Sequence, residues 1–154
     1  MKRFLILVLV ALFLLPGISV RAEECTVPSE IKSLSEKIGQ EYNICPELLQ
    51  SMAWQESRFQ LDVENAGCKG LMQINEKWHK ERMAHLGVVD IYNPESNMRV
   101  AADYLSDLFE EYEDVGTVLM VYHGESGAVD KIELSSYADE ILTRSAELER
   151  MHGK

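Results

Sequence analysis

Past its first two dozen residues the chain repeats apolar side chains at steps of three and four almost to its end, and strand-like alternation is hard to find. Ile31, Leu34, Ile38 and Tyr42 step in this way and predict an amphipathic helix ending near Asn43. Pro46 suits the first turn of a second helix over residues 46–58, with Glu47 close to its positive end. Asn93-Pro94-Glu95 is a helix start with Asn as cap and Pro at the first helical position. Met98, Ala101, Ala102, Leu105, Leu108 and Phe109 carry its apolar face onward. A short helix is expected over residues 117–123, broken by the glycines at 124 and 127, and a last one over residues 136–151. The fold class is therefore mostly α, with residues 66–70, inside a region of about 62–70, the place for a small irregular or β-like element.

The amino terminus sets the address and the size of the folding unit. Lys2 and Arg3 precede an unbroken apolar run over residues 4–15, followed by Pro16, Gly17 and a small-residue stretch ending at Ala22. That order is the grammar of a cleaved signal peptide, and the run is short of the roughly 20 apolar residues a spanning helix needs. Residues 1–22 are read as the leader, residues 23–43 as an N-terminal helical segment packing on the domain, and 44–154 as the domain itself. Glu23 and Glu24 before Cys25 do not fit a lipid-modified cysteine, so a secreted or cell-envelope product without stable membrane insertion is expected. What remains after cleavage fits one domain with one core.

The chain carries a formal charge of −11, and loss of Lys2, Arg3 and Arg21 with the leader makes it more negative. Such a surface repels nucleic acid and anionic lipid. Cys25, Cys45 and Cys68 follow the cleavage point. In an oxidising compartment one pair and one leftover thiol are expected. Cys45 with Cys68 is the favoured pair, because the ~10 residues after Arg58 can span more than 30 Å and return along a helix; Cys25 is an equal candidate as partner. The cysteine spacing matches no zinc motif, and His79, Glu81 and His85 do not form HExxH, so neither a metal nor a cofactor is expected.

One acid stands out. In the second helix Leu48, Leu49, Met52 and Ala53 form the buried stripe, and Glu56 follows Met52 by four residues and Ala53 by three. A carboxyl there is partly desolvated and lies near the negative end of the helix dipole; both effects disfavour the anion and raise its pKa. That is the tuning a general acid needs near neutral pH. The plainer alternative is a glutamate that turns outward past the helix end.

The motifs around Glu56 decide between these. Glu56-Ser57-Arg58-Phe59 is followed by the block Gly67-Cys68-Lys69-Gly70-Leu71-Met72-Gln73-Ile74. Asn93-Pro94-Glu95-Ser96-Asn97-Met98 then leads to Ala101, Tyr104 and Leu105. Val121-Tyr122-His123-Gly124 comes next, and Tyr137 stands ahead of Ile141-Leu142. In this order and spacing, from about residue 44 to 142, the chain resembles the soluble lytic transglycosylase family, which shares the lysozyme-like fold of goose-type lysozyme. The resemblance implies that Glu56 is the acid/base and that Ser57 lies beside it, near the bound sugar or its peptide stem. Met72 and Gln73 would line the floor of the groove, with Leu71 and Ile74 structural and Gly70-Leu71-Met72 a tight turn feeding a helix start. Tyr122 and Tyr137 would stand around the cleft, the Tyr137 hydroxyl holding Glu56 in place. The chain departs from the family at His123, where asparagine usually helps bind the sugar, and more mildly at Val121 and Cys68. Residues 93–105 are assigned to structure.

The same resemblance implies the chemistry: non-hydrolytic cleavage of the β-1,4 bond between muramic acid and glucosamine in a peptidoglycan strand, leaving a 1,6-anhydro end. A hydrolytic lysozyme is the alternative within the class and would need Asp62 or Glu64 to position water. An inactive peptidoglycan-binding or assembly protein is the alternative outside it. The absence of any separate wall-binding segment motivates a further expectation, placement by a larger envelope or secretion assembly.

Overall fold

A computed structural model describes residues 26–154; the expected leader at 1–22 and the thiol of Cys25 lie outside the described residues. The helical periodicity is realised as α1 (Ser29–Tyr42), α2 (Pro46–Ser57), a short α3 (Lys80–His85), α4 (Pro94–Glu111), α5 (Val115–Tyr122) and α6 (Ser136–Met151). One 3₁₀ turn, Ala128–Asp130, joins α5 to α6. Asn43 ends α1 in the left-handed conformation, its N–H bonded to Gly39 O. The Asn93 side chain caps α4 by accepting from Ser96 N–H at 3.0 Å.

The core is gathered around α2, which packs against α1 on one side and α6 on another. Residues 47–53 of α2 are all buried, so this helix is covered nearly all round and its apolar stripe is broad. Ile31 and Ile38 of α1, Met98, Ala101 and Leu105 of α4, Leu119 of α5 and Ile141 of α6 close the same core. Each fully buried side chain of this size contributes about 1.5–3 kcal/mol. Among the described residues no helix is long and apolar enough to cross a membrane.

The expected β-like element is a three-stranded antiparallel sheet, β1 (Glu64–Asn65), β2 (Cys68–Lys69) and β3 (Ile74–Asn75), with Glu64 opposite Lys69 and Cys68 opposite Asn75. Ala66 and Gly67, both at positive φ, make the two-residue turn of the first hairpin. The sheet runs past the expected region, because Leu71, Met72 and Gln73 turn the chain into β3 rather than into a helix. Asn97 of α4 is what fixes that turn. Its buried amide accepts from Met72 N–H at 2.7 Å and donates to Lys69 O at 2.9 Å and Ile91 O at 2.8 Å. Gly70 is required beneath it: at φ 72° any added Cβ would stand 2.6 Å from Asn97 Nδ2. Two further features differ from the expectation. The six residues of α3 bury nothing fully, and the start of α5 lies two residues before the expected one because Asp114 caps it, accepting from Thr117 N–H at 2.7 Å.

Cys45 and Cys68 are free thiols, which corrects the expected pairing. Cys45 precedes the first residue of α2, whereas Cys68 lies in the sheet beyond its last. Their sulfurs meet different groups: Cys45 Sγ donates to Glu47 Oε2 at 3.2 Å, and Cys68 Sγ accepts from Asn75 Nδ2 at 3.9 Å.

Candidate active site

Glu56 occupies the last turn of α2, half-buried, where the chain leaves the helix through two successive non-glycine residues at positive φ, Arg58 (54°) and Phe59 (63°). Burial pushes the Glu56 carboxyl up to about 7; the Tyr137 hydroxyl, which donates to Oε1, acts in the opposite direction and is outweighed. Tyr137 comes from the first turn of α6, so the packing of α6 on α2 delivers that hydroxyl to the acid. The Tyr137 ring is 8 % exposed and stacks on His123, with ring centroids 3.9 Å apart and planes 16° from parallel. Burial raises the Tyr137 phenol well above its ordinary value, so it remains a donor.

A cavity of about 380 Å³ opens over Glu56, walled by Gln73, His123 and Tyr137. Gln73 sits at φ 49° and is held by donation from its Nε2 to Gly70 O at 3.0 Å. Gln55, Asn65 and Glu140 also line it, and none of the three was singled out in the sequence. Glu140 had a signal: it follows Tyr137 by three residues and Ser136 by four, which puts all three on one face of α6. A second cavity of about 660 Å³ shares Gln73 and His123 with the first and continues between Ile74, Trp78, Arg82, Tyr104 and Tyr122. Its wall is an aromatic series, with His79 4.8 Å and Tyr122 5.6 Å from the Tyr104 ring, and Trp78 stands at its edge 81 % exposed. Arg82 is fixed there by Asp103 and Asp107.

Three of the expected lining residues lie lower than the sequence implied. Ser57 is 5 % exposed, and its hydroxyl contacts Ala53 O at 3.0 Å and Leu71 O at 2.8 Å, stitching the end of α2 to the turn before β3. Met72 is fully buried and lines neither cavity; its carbonyl accepts from the Tyr122 hydroxyl at 2.9 Å. Tyr122 thus reaches under the floor while its ring walls the larger cavity. Asp62 and Glu64 do not line the smaller cavity: Asp62 is exposed, and Glu64 accepts from the Tyr92 hydroxyl at 2.9 Å. Among the described residues no group of three or more His, Cys, Asp or Glu side chains is placed to hold a metal ion.

Comparison with known proteins bears on family and fold. A family model described as the transglycosylase SLT domain matches residues 33–144. Protein IpgF of Shigella sonnei is 31% identical over 117 residues, which cover 71% of this chain and 76% of that protein. The transglycosylase of Enterobacteria phage PRD1 is 33% identical over 85 residues, 54% of this chain but 31% of its own length. Among solved structures, an inactive glutamate-to-glutamine mutant of the lytic transglycosylase Slt from Pseudomonas aeruginosa matches with a TM-score of 0.69 at 16% identity. The match covers 82% of this chain and 25% of that one, so the chain spans about a quarter of that protein's length. The shared architecture is the lysozyme-like fold, mostly helical with a small sheet.

Proposed function

The chain belongs to the transglycosylase SLT domain family, and from that premise we propose that it cleaves peptidoglycan glycan strands without water, with Glu56 as its single acid/base. The observation that carries this reading is a half-buried carboxyl held near pKa 7 at the bottom of a cavity. Such a group is protonated in a useful fraction at neutral pH and can both give and take a proton. The neighbouring Slt structure is described as an inactive glutamate-to-glutamine mutant, which supports a chemistry that turns on one carboxyl.

In the proposed reaction Glu56 gives its proton to the bridging oxygen as the bond from muramic acid C1 to that oxygen breaks. The acetamido group of the same sugar supports the charge developing at C1. Glu56, now a carboxylate, takes the proton of the sugar's own 6-hydroxyl as O6 bonds to C1. No water is consumed, and the ring closes as a 1,6-anhydro end. Tyr137 keeps the carboxyl oriented through both transfers. Gln73 and His123 meet the sugar, and the aromatic arm with Trp78 and Tyr104 fits the apolar faces of further rings. Ser57, Met72 and Tyr122 serve from beneath as supports.

Hydrolysis is the second reading. Of the described residues on the cavity wall only Glu140 adds a carboxyl, so a lysozyme would have to use Glu140 to hold its water. Replacing Glu56 by Gln tests the main reading: turnover of purified peptidoglycan should vanish while binding to it persists. Unchanged turnover would remove Glu56 from the chemistry, and absence of turnover in the parent protein would leave a binding or assembly role. The expected location, cleavage after Ala22 and release to the cell envelope without a lipid anchor, is tested by the N-terminal sequence of the exported protein.

A further inference from the structure

The two arms of the cleft differ in chemistry, and the difference assigns a role to a residue outside the proposed reaction. The larger arm is aromatic and includes Arg82. The smaller arm is polar and acidic: Glu56 and Glu140 line it, and among the described residues on its wall there is no lysine or arginine. Glu140 is held in position from the next helix, where Gln55 Nε2 donates to its Oε2 at 3.0 Å. The Glu140 side chain is exposed on the wall of this arm. Gln55 and Glu56 are neighbours in the last turn of α2. The pKa of Glu56 is governed by burial and by Tyr137, so Glu140 is not there to tune the acid.

We propose, resting on the reading of the cleft as a peptidoglycan site, that Glu140 is a specificity-determining residue that accepts a hydrogen bond from a primary ammonium group of the substrate. A carboxylate anchored on a wall without cations attracts an ammonium and repels a carboxylate, and a charge-assisted bond is the strong kind. A peptidoglycan strand offers that group in two places: a free amine on the peptide stem, and the amine of a deacetylated amino sugar. The chemistry of recognition is the same for both. The aromatic arm takes ring faces, and the acidic arm takes the charged substituent.

The test reads binding, so that it does not depend on turnover. Soluble muropeptides are titrated calorimetrically into the Glu56→Gln protein and into Glu56→Gln/Glu140→Gln. Three probes are used in parallel: fragments with free stem amines, the same fragments after N-acetylation, and stem-free strands with deacetylated glucosamine. The expected result is about fivefold weaker binding on acetylation, a ratio that falls to one when Glu140 is also replaced. Which of the two amine-bearing probes shows the Glu140-dependent gain identifies the source. Absence of a Glu140-dependent gain for both amine-bearing probes, or a preference for the free amine that survives Glu140→Gln, overturns the proposal. Failure of the catalytic reading appears elsewhere, as absence of product from the parent protein.

Discussion

Tyr137→Phe isolates the contact that balances the acid. The ring is buried and stacked on His123, so phenylalanine fills the same volume and keeps the stack. What is lost is the hydroxyl that donates to Glu56 Oε1. That bond favours the carboxylate and holds the Glu56 pKa below the value burial alone would impose. A hydrogen bond to a charged group is worth about 1.5–3 kcal/mol, and each pKa unit corresponds to about 1.36 kcal/mol, so the carboxyl should move from about 7 to about 8 or above. The first step requires the protonated acid, so the rate falls as pH rises through that value. The assay is the pH profile of kcat on soluble glycan strands for the two proteins. The descending limb should shift to higher pH by about one unit in Tyr137→Phe, with kcat at the plateau reduced by loss of orientation. A limb that stays in place or moves to lower pH would refute the assignment of Tyr137 as the counterweight to burial.

Glu56→Gln should gain stability while losing activity. The folded-state pKa is raised above the ordinary 4.5, so the parent protein's stability is intact below that value and declines as pH rises through about 7. Thermal unfolding at pH 8 should therefore favour the variant by about 2 kcal/mol, with little difference at pH 4. Glu47 behaves in the opposite sense. It is 2 % exposed, and although burial pushes its carboxyl up, hydrogen bonds from Lys154 and His152 outweigh this and hold it at about 2. Glu47→Gln should then cost about 1–2 kcal/mol at neutral pH, after allowance for the exposed lysine, and the difference should fade as pH falls from about 4.5 through about 2 in denaturation curves. Asn97→Ala removes three hydrogen bonds, two of them buried, and should destabilise by about 3 kcal/mol, lowering Tm by roughly 10 °C. Its hydrogen exchange should quicken first at Met72, whose N–H loses its acceptor.

What the sequence carried well was whatever depends on period and capping. The apolar steps from Ile31 to Tyr42, the cap at Asn93 and the run ending at Met151 each appear as a helix with nearly the expected ends. The position of Glu56 on the α2 stripe is enough to foresee its raised pKa, because its burial follows from the local helix face. Strands of two residues have no room for alternation, so β3 leaves no period in the sequence and its approach reads as a helix start. The depth of Ser57 and Met72 was equally hidden, since it is set by Leu71 O and by Asn97, both distant in sequence. Glu140 was missed although its spacing from Tyr137 was available, because the α6 face turned toward the cleft is defined only by its packing on α2.

The central claim is that one carboxyl suffices because the substrate supplies the nucleophile. Mass spectrometry of muropeptides released from purified peptidoglycan, by the protein and by Glu56→Gln in parallel, tests this most directly. The account predicts anhydro-muropeptides, lighter by one water than hydrolytic products, from the parent protein and none from the variant. Reducing-end products would contradict it and transfer the role of second carboxyl to Glu140.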